Sequence, residues 1–484
     1  MLFNSNAFYI FFPIVFTVYW IIPAKYRWGV LLISSYYFYM SWNIKYVTLI
    51  LTTTLVSYCA ALLMERTESR RKKKLCLTSA LLISFGILFF FKYFNFLSKS
   101  VTDVLQSFAI PVGQATLNLM LPVGISFYTF QTLSYVIDVY RGEVKACRHF
   151  GKYATFISFF PQLVAGPIER TRNLLPQIEG EHTFHTEKGI RGAKMIAWGF
   201  FKKIAIADTV AIYVDTVYNA AESFTGFPLL LATVLFTFQI YCDFSGYSDI
   251  AVGTAGLLDI DLMINFKSPY FSASIREFWS RWHISLSTWF RDYVYIPLGG
   301  NRRGPWRTRW NLLVTFLVSG LWHGADWTYV LWGGIHGLGQ ILEREWNRMF
   351  RIDPNKKTWL KMGCTFLFVS VTWIFFRANT ISDAGYILTH LFDGITDPKA
   401  YLTDGYHAFQ HAGMVQVPGL STLIISFLCI LILLLHDRLN QTKDVWARIG
   451  GLKKPLRYAL YFLLLFIILY SRQLGEYEFV YFQF

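Results

Sequence analysis

Apolar stretches of near-membrane length, separated by short polar segments, recur along the whole chain. They run from Ala7 to Ile22, Ile44 to Met64, Leu75 to Phe91, Ala193 to Val214, Leu229 to Tyr241, Trp310 to Leu321, Trp327 to Leu342, Met362 to Phe376, Leu420 to Leu435 and Tyr458 to Tyr470. A hydrocarbon core about 30 Å thick is spanned by about 20 helical residues, so the pattern predicts membrane helices. With Leu121 to Val139 and the segments broken by Gly and Pro, about eleven spanning or half-spanning elements are expected. The predicted fold is all-α and integral to the membrane, one polytopic domain over 1–484. It has N-terminal spans in 1–140, a central core in 141–345, and C-terminal spans in 346–484 that include an outer loop at 379–419.

Three stretches depart from plain membrane helix. In Phe159 to Arg170, Pro161 and the pair Gly166-Pro167 interrupt an apolar run. Backbone freed there needs partners within the protein or water, so a kinked helix end and a re-entrant element are both open. The run Phe238 to Ala251 carries Asp243, Ser245, Ser248 and Asp249 in an otherwise apolar span. On a helix Asp243 and Tyr247 share one face and Ser245 and Asp249 another, which suits either bonding between helices or the wall of a polar cavity. Asn265 to Gly300 is dense in Arg, Trp and His. Interfacial amphipathic helices with Trp anchors explain it, and so do guanidinium forks set for an anionic group.

Composition supports a bilayer: 54% of the 484 residues are hydrophobic and only 15% charged, unlike an ordinary soluble domain. The net charge of +15 does not point to nucleic acid, because the basic residues sit in loops between apolar segments. Glu65 to Lys74 holds six of them, Gly299 to Trp310 four arginines with no acid, and Glu343 to Lys361 and Asp437 to Arg457 six each. Asn379 to Gly419 holds Lys399 alone against Asp383, Asp393, Asp397 and Asp404. The positive-inside rule assigns the first four loops to the cytoplasm and the last to the outside. Counting spans back from Glu65 and forward from Arg457 places both termini outside; crossings between 153 and 276 are not determined by charge. The first apolar run has neither a basic leader nor a small-residue cleavage site and reads as an uncleaved span. Cys59, Cys76, Cys147, Cys242, Cys364 and Cys429 form neither a metal spacing nor a disulfide framework and read as free thiols.

Chemistry concentrates around two histidines. His336 lies in the uncharged run Val330 to Gln340, thirteen residues after His323 in Leu321-Trp-His-Gly324. A charged side chain at a bilayer centre costs about 2.5 kcal/mol or more, so a titratable group kept there commonly serves a relay or a reaction. Imidazole can remain neutral and act as a base. Gly333, Gly334, Gly337 and Gly339 surround His336 and would let another helix or a ligand approach closely. A packed structural histidine is the alternative, and His323 suits a turn cap equally. Neither Gly-x-Ser-x-Gly nor a Walker loop is present, which argues against lipase-like or nucleotide-driven chemistry.

Several segments, taken in order, resemble the membrane-bound O-acyltransferase family, and within it the alginate O-acetyltransferase branch. They are Leu121 to Tyr135 with Asp138, Val164 to Glu169, Asp243 to Asp249, Phe278 to Ser287, Leu321 to Gly324, His336-Gly337 and the ending Tyr481 to Phe484. The resemblance implies a ring of helices thinned at its centre to a funnel or tunnel, with His336 and His323 at the family's histidine positions. It implies transfer of an acyl group, here acetyl, from a cytoplasmic thioester such as acetyl-CoA to an extracytoplasmic hydroxyl. His336 is then general base or acyl relay, and His323 orients the acceptor or steadies developing charge. Arg276, Arg281, Trp282 and His283 are candidates at the donor site, and Asp243 and Asn265 in the polar wall. No metal and no bound cofactor is expected. The implied partners are a secreted polysaccharide or a partner acetyltransferase carrying its own serine nucleophile. Two alternatives stand beside this: D-alanyl transfer with an acyl-carrier protein on the basic face, and a transporter whose histidines relay protons.

Overall fold

The computed structural model describes residues 1–353, 356, 358–403, 420–472 and 479–480. His407, His411 and the ending Tyr481 to Phe484 lie outside the described residues, as do residues 404–419 of the expected outer loop. Among the described residues every regular element is helical. Five helices among the described residues are long and apolar enough to cross a membrane: Ile44–Glu65, Arg70–Ser107, Phe227–Leu257, Trp359–Arg377 and Thr422–Asn440; Asn6–Ile21 is apolar but shorter. The helix Arg27–Met40 is one that the span count requires but no apolar window above delimits, because Ser34, Ser35 and four tyrosine or tryptophan side chains dilute it.

The chain packs as two compact units. One comprises Met1–Ile196 with Ser248–Met263, the other Ala197–Tyr247 with Ile264–Phe484. In the first unit Ser5 caps the helix Asn6–Ile21 by accepting from the Phe8 N–H, satisfying one of the donors a helix start leaves open. Pro13 sits inside that helix, and the Thr17 hydroxyl donates to the Pro13 carbonyl at 2.8 Å.

The interrupted stretch after Phe159 is resolved here. The helix Phe150–Ser158 stops, and residues 159–169 follow as non-helical backbone that is buried throughout. Its polar groups find side chains: the Phe160 N–H donates to Ser35 Oγ at 3.0 Å, and the Phe156 carbonyl accepts from Gln131 and Gln162 at 2.8 and 3.1 Å. Irregular backbone at such depth survives because protein, not lipid, surrounds it. Glu169, wholly buried, accepts from the Met263 N–H and from Asn173. Gly166 is required, since a Cβ there would strike the Gln162 backbone.

At a polar edge of this unit Lys188 Nζ bridges Asp259 and Asp261 at 2.8 and 2.9 Å, and His182 Nδ1 lies 3.2 Å from Asp259. Partial burial opposes ionisation of Asp259, but the Lys188 ammonium and the His182 contact outweigh it and hold its carboxyl below the ordinary 3.8. These same carboxylates raise Lys188 above its ordinary 10.5 against the burial that lowers it.

The second unit is built round one aromatic core. The helix Thr186–Phe200 continues through a widened turn, Phe201–Ala207, into Asp208–Tyr218; residues from 197 onward belong here. Helices Gly304–His323 and Trp327–Met349 form the closest pair. Gly320 and Gly333 meet at their contact: a Cβ on either would strike the opposing backbone, and one on Gly337 would crowd Phe316 and Leu313. The glycines near His336 therefore serve close helix approach. Between the helices Asp326 caps the second by accepting from the Thr328 N–H.

Candidate functional site

His336 occupies the tenth position of Trp327–Met349 and is wholly buried. Its ring is enclosed by Trp279, Trp332 and Phe368 at centroid distances of 5.2, 5.0 and 5.4 Å, with Phe278 and Phe316 each at 6.4 Å. Both nitrogens are bonded: the Trp279 indole N–H donates to Nδ1 at 3.2 Å, and Nε2 lies 3.0 Å from Thr372 Oγ1. The family resemblance implied a tunnel at this histidine; here aromatic side chains enclose the ring, and of the two approaches that the flanking glycines left open, a helix or a ligand, the structure shows a helix.

Next to this cage is a cavity of about 930 Å³ whose lining includes Arg276, Trp279, Arg291, Phe316, Arg344 and Arg348. Trp279 and Phe316 belong to both the cage and the cavity wall, so one layer of side chains separates His336 from the space. Arg276, Arg344 and Arg348 are exposed and mark its open end. Guanidinium groups suit phosphate or carboxylate there, while the inner wall is largely apolar.

The helix Ile275–Arg281 positions this boundary. Ser274 caps it by accepting from the Glu277 N–H, and Glu343 accepts the Ile275 N–H from the neighbouring helix. That places Arg276 at the mouth and Trp279, one turn on, against His336.

The other candidates fall in separate settings. His323, 4% exposed, packs on Trp332 and Phe376 at 5.1 and 5.4 Å; Trp332 thus lies between the two histidines. His283 is buried against Phe244 at 4.5 Å, with its ring 6.4 Å from His323, and holds a left-handed backbone (φ +43°). Asn265 supports that turn: its side chain accepts from the Ser285 N–H at 3.1 Å and its carbonyl from the Ile284 N–H at 3.0 Å. Trp282 is buried 5.1 Å from Phe266 and from Trp373, which stacks on Trp332. Arg281 pairs with Glu277 at 2.7 Å and does not line the cavity.

Asp243 belongs to a different cluster. Lys203 Nζ sits 2.7 Å from both Asp208 and Asp243, and Asp243 also accepts the Val480 N–H at 2.8 Å. Lys203 faces the Phe479 ring at 4.1 Å, and neighbouring Lys202 donates to Ser245 Oγ at 2.9 Å.

Sequence reasoning overlooked Lys203, although two adjacent lysines inside the apolar window Ala193 to Val214 were a usable signal. Trp279 and Arg291 stood within a stretch already singled out. Arg344 and Arg348 entered only as orientation charges. Thr372 had no sequence signal at all, being one of three hydroxyl side chains in an apolar helix.

Residues 146–381 match the membrane-bound O-acyltransferase family. A protein of Azotobacter vinelandii named probable alginate O-acetylase AlgI is 41% identical over 392 residues, 79% of this chain and 76% of its own. Its namesake in Pseudomonas putida is 38% identical over 441 residues, covering 90% and 88%. A peptidoglycan O-acetyltransferase of Helicobacter pylori is 35% identical over 422 residues, covering 79% and 78%.

Proposed function

Because the chain belongs to the membrane-bound O-acyltransferase family and is a membrane O-acyltransferase, we propose that it moves acetyl from a cytoplasmic thioester toward a hydroxyl outside the membrane. His336 is the general base. The acceptor is a secreted polysaccharide or the serine of a partner acetyltransferase that passes acetyl on. Alginate stands in the names of two relatives and peptidoglycan in the third, and acetyl is the group that all three names share. The setting is a bacterial cytoplasmic membrane with both termini outside.

The observation that carries this reading is the placement of His336 one side-chain layer behind an arginine-mouthed cavity. Arg344, Arg348 and Asn301, which line that cavity, come from two of the four segments that the charge rule assigns to the cytoplasm, the side from which a phosphate-bearing acetyl donor arrives. The aromatic enclosure keeps bulk water from the imidazole and from the thioester, which water would hydrolyse. In the transfer, imidazole takes the acceptor's O–H proton as oxygen bonds to the acetyl carbonyl carbon. The C–S bond then breaks, and the imidazolium returns the proton to the departing thiolate. His323 and His283 lie beyond Trp332 and support the fold of the site more directly than its chemistry.

The test uses purified protein in detergent with acetyl-labelled acetyl-CoA and a hydroxyl acceptor. His336→Ala is expected to lower transfer at least about 100-fold, the contribution of a positioned base, while the protein stays folded and inserted. Full transfer by that variant refutes the assignment; inert donor, with solute flux once the protein is reconstituted into sealed vesicles, favours a transporter instead.

A further inference from the structure

We propose that His336 works through Nδ1, and that Thr372 is the positioning residue that commits the ring to this arrangement. The inference rests on the reading of His336 as the base, and it specifies which nitrogen does the work. An indole N–H is only a donor, so the nitrogen 3.2 Å from Trp279 Nε1 must be the one that accepts. A neutral imidazole carries a single N–H, which therefore sits on Nε2. Thr372 agrees from the other side. Its hydroxyl donates to the Val369 carbonyl at 2.7 Å, leaving oxygen lone pairs to accept from Nε2–H at 3.0 Å. The indole, a donor only, specifies the tautomer, and the hydroxyl, already donating to Val369, fits the same form.

Direction follows from the same contacts. Nε2 points into the helix Trp359–Arg377, where Thr372 is 1% exposed. Nδ1 points at Trp279, which lines the cavity. The basic lone pair thus faces the open space, masked by one indole N–H. A substrate hydroxyl takes the place of that N–H, since one sp² lone pair cannot serve both donors fully. Trp279 is the cap that gives way, and Thr372 keeps the ring from turning over when it does. The proton moves from the acceptor oxygen to Nδ1, and both ring nitrogens then carry hydrogen, with Thr372 still accepting from Nε2.

Thr372→Val removes the hydroxyl at nearly constant volume, and Thr372→Ser restores it. The expected result is a fall in kcat of about 10- to 100-fold for Thr372→Val, as for other partners that orient a histidine, with the donor KM within about twofold and Thr372→Ser recovering most of the rate. Nitrogen-15 spectra of histidine-labelled protein, with the His336 signals assigned by their loss in His336→Gln, are expected to show Nε2 protonated and Nδ1 bare in the wild type. They are expected to show a mixture of the two forms in Thr372→Val. A wild-type proton on Nδ1, an unchanged kcat in Thr372→Val, or a Thr372→Ser enzyme as slow as Thr372→Val overturns the proposal. An active His336→Gln enzyme removes the base reading itself. An inactive His336→Gln beside a fully active Thr372→Val removes only the present inference.

Discussion

The buried cluster of Lys203, Asp208 and Asp243 makes a graded stability prediction. One ammonium lies 2.7 Å from each of two carboxylates, and all three residues are nearly inaccessible. Lys203→Met withdraws the cation that both acids share, which costs about 3–5 kcal/mol by the usual penalty for stranding a buried charge. Asp243→Ala removes one charge-assisted hydrogen bond to Lys203 and orphans the Val480 N–H. Each loss is worth about 1–3 kcal/mol, offset in part because the remaining Lys203 and Asp208 form a neutral pair, for a net of about 2–4 kcal/mol. Asp243→Asn keeps one acceptor oxygen, enough for Lys203 or for the Val480 N–H but not for both, because its amide nitrogen only donates, and costs about 1–3 kcal/mol. The order of loss is therefore Lys203→Met, then Asp243→Ala, then Asp243→Asn. Thermal unfolding in detergent can be followed with a thiol-reactive dye, because Cys242 and Cys429 are buried in this unit while Cys59 and Cys364 are exposed and label at the start. A Lys203→Met protein that melts with the wild type, or above Asp243→Asn, refutes the ion-pair argument. An Asp243→Asn protein with wild-type stability but no turnover would instead place that carboxylate in the reaction.

Two further outcomes bear on other parts of the molecule. The Lys188, Asp259 and Asp261 edge should tighten residues 180–188 without change across the neutral range. Asp259 is depressed below 3.8, so its contribution is present above that pH and is lost as pH falls through the folded value; Lys188 is raised above 10.5, so its contribution is complete below 10.5 and is lost as pH rises through the folded value. Limited proteolysis or hydrogen exchange that loosens this segment near pH 7 would contradict the assignment. For orientation, single cysteines replacing Lys73 and Asp397 in an otherwise cysteine-free chain are expected to label with an impermeant maleimide from opposite faces of sealed vesicles, Asp397→Cys from outside. Labelling of both from one face overturns the charge-derived topology.

Much of the architecture was legible in order. The windows Ile44 to Met64, Met362 to Phe376 and Leu420 to Leu435 coincide with long apolar helices, because lipid-facing spans must be apolar nearly all round. The short window Leu229 to Tyr241 understated a helix that runs from Phe227 to Leu257, since Asp243, Ser245, Ser248 and Asp249 hide its second half from a hydropathy reading. Arg27–Met40 was missed for the same reason. Interior faces of a helix bundle accept polar groups that can pair, so hydropathy marks where helices touch lipid better than where they touch one another.

The chain by itself determined that this is a helical membrane protein, that its family motifs stand in order, and that His336 lies in an uncharged run between basic segments. Those properties depend on local composition and spacing. Only the tertiary structure decided that Lys203 pairs with Asp243, that the glycines near His336 admit a helix, and that Trp279 and Thr372 bond the two ring nitrogens of His336. Hydrogen bonds and ion pairs act over about 3 Å, whereas Trp279 and Thr372 stand 57 and 36 residues from His336 along the chain. Contacts of that range are set by how helices pack, which no local pattern encodes.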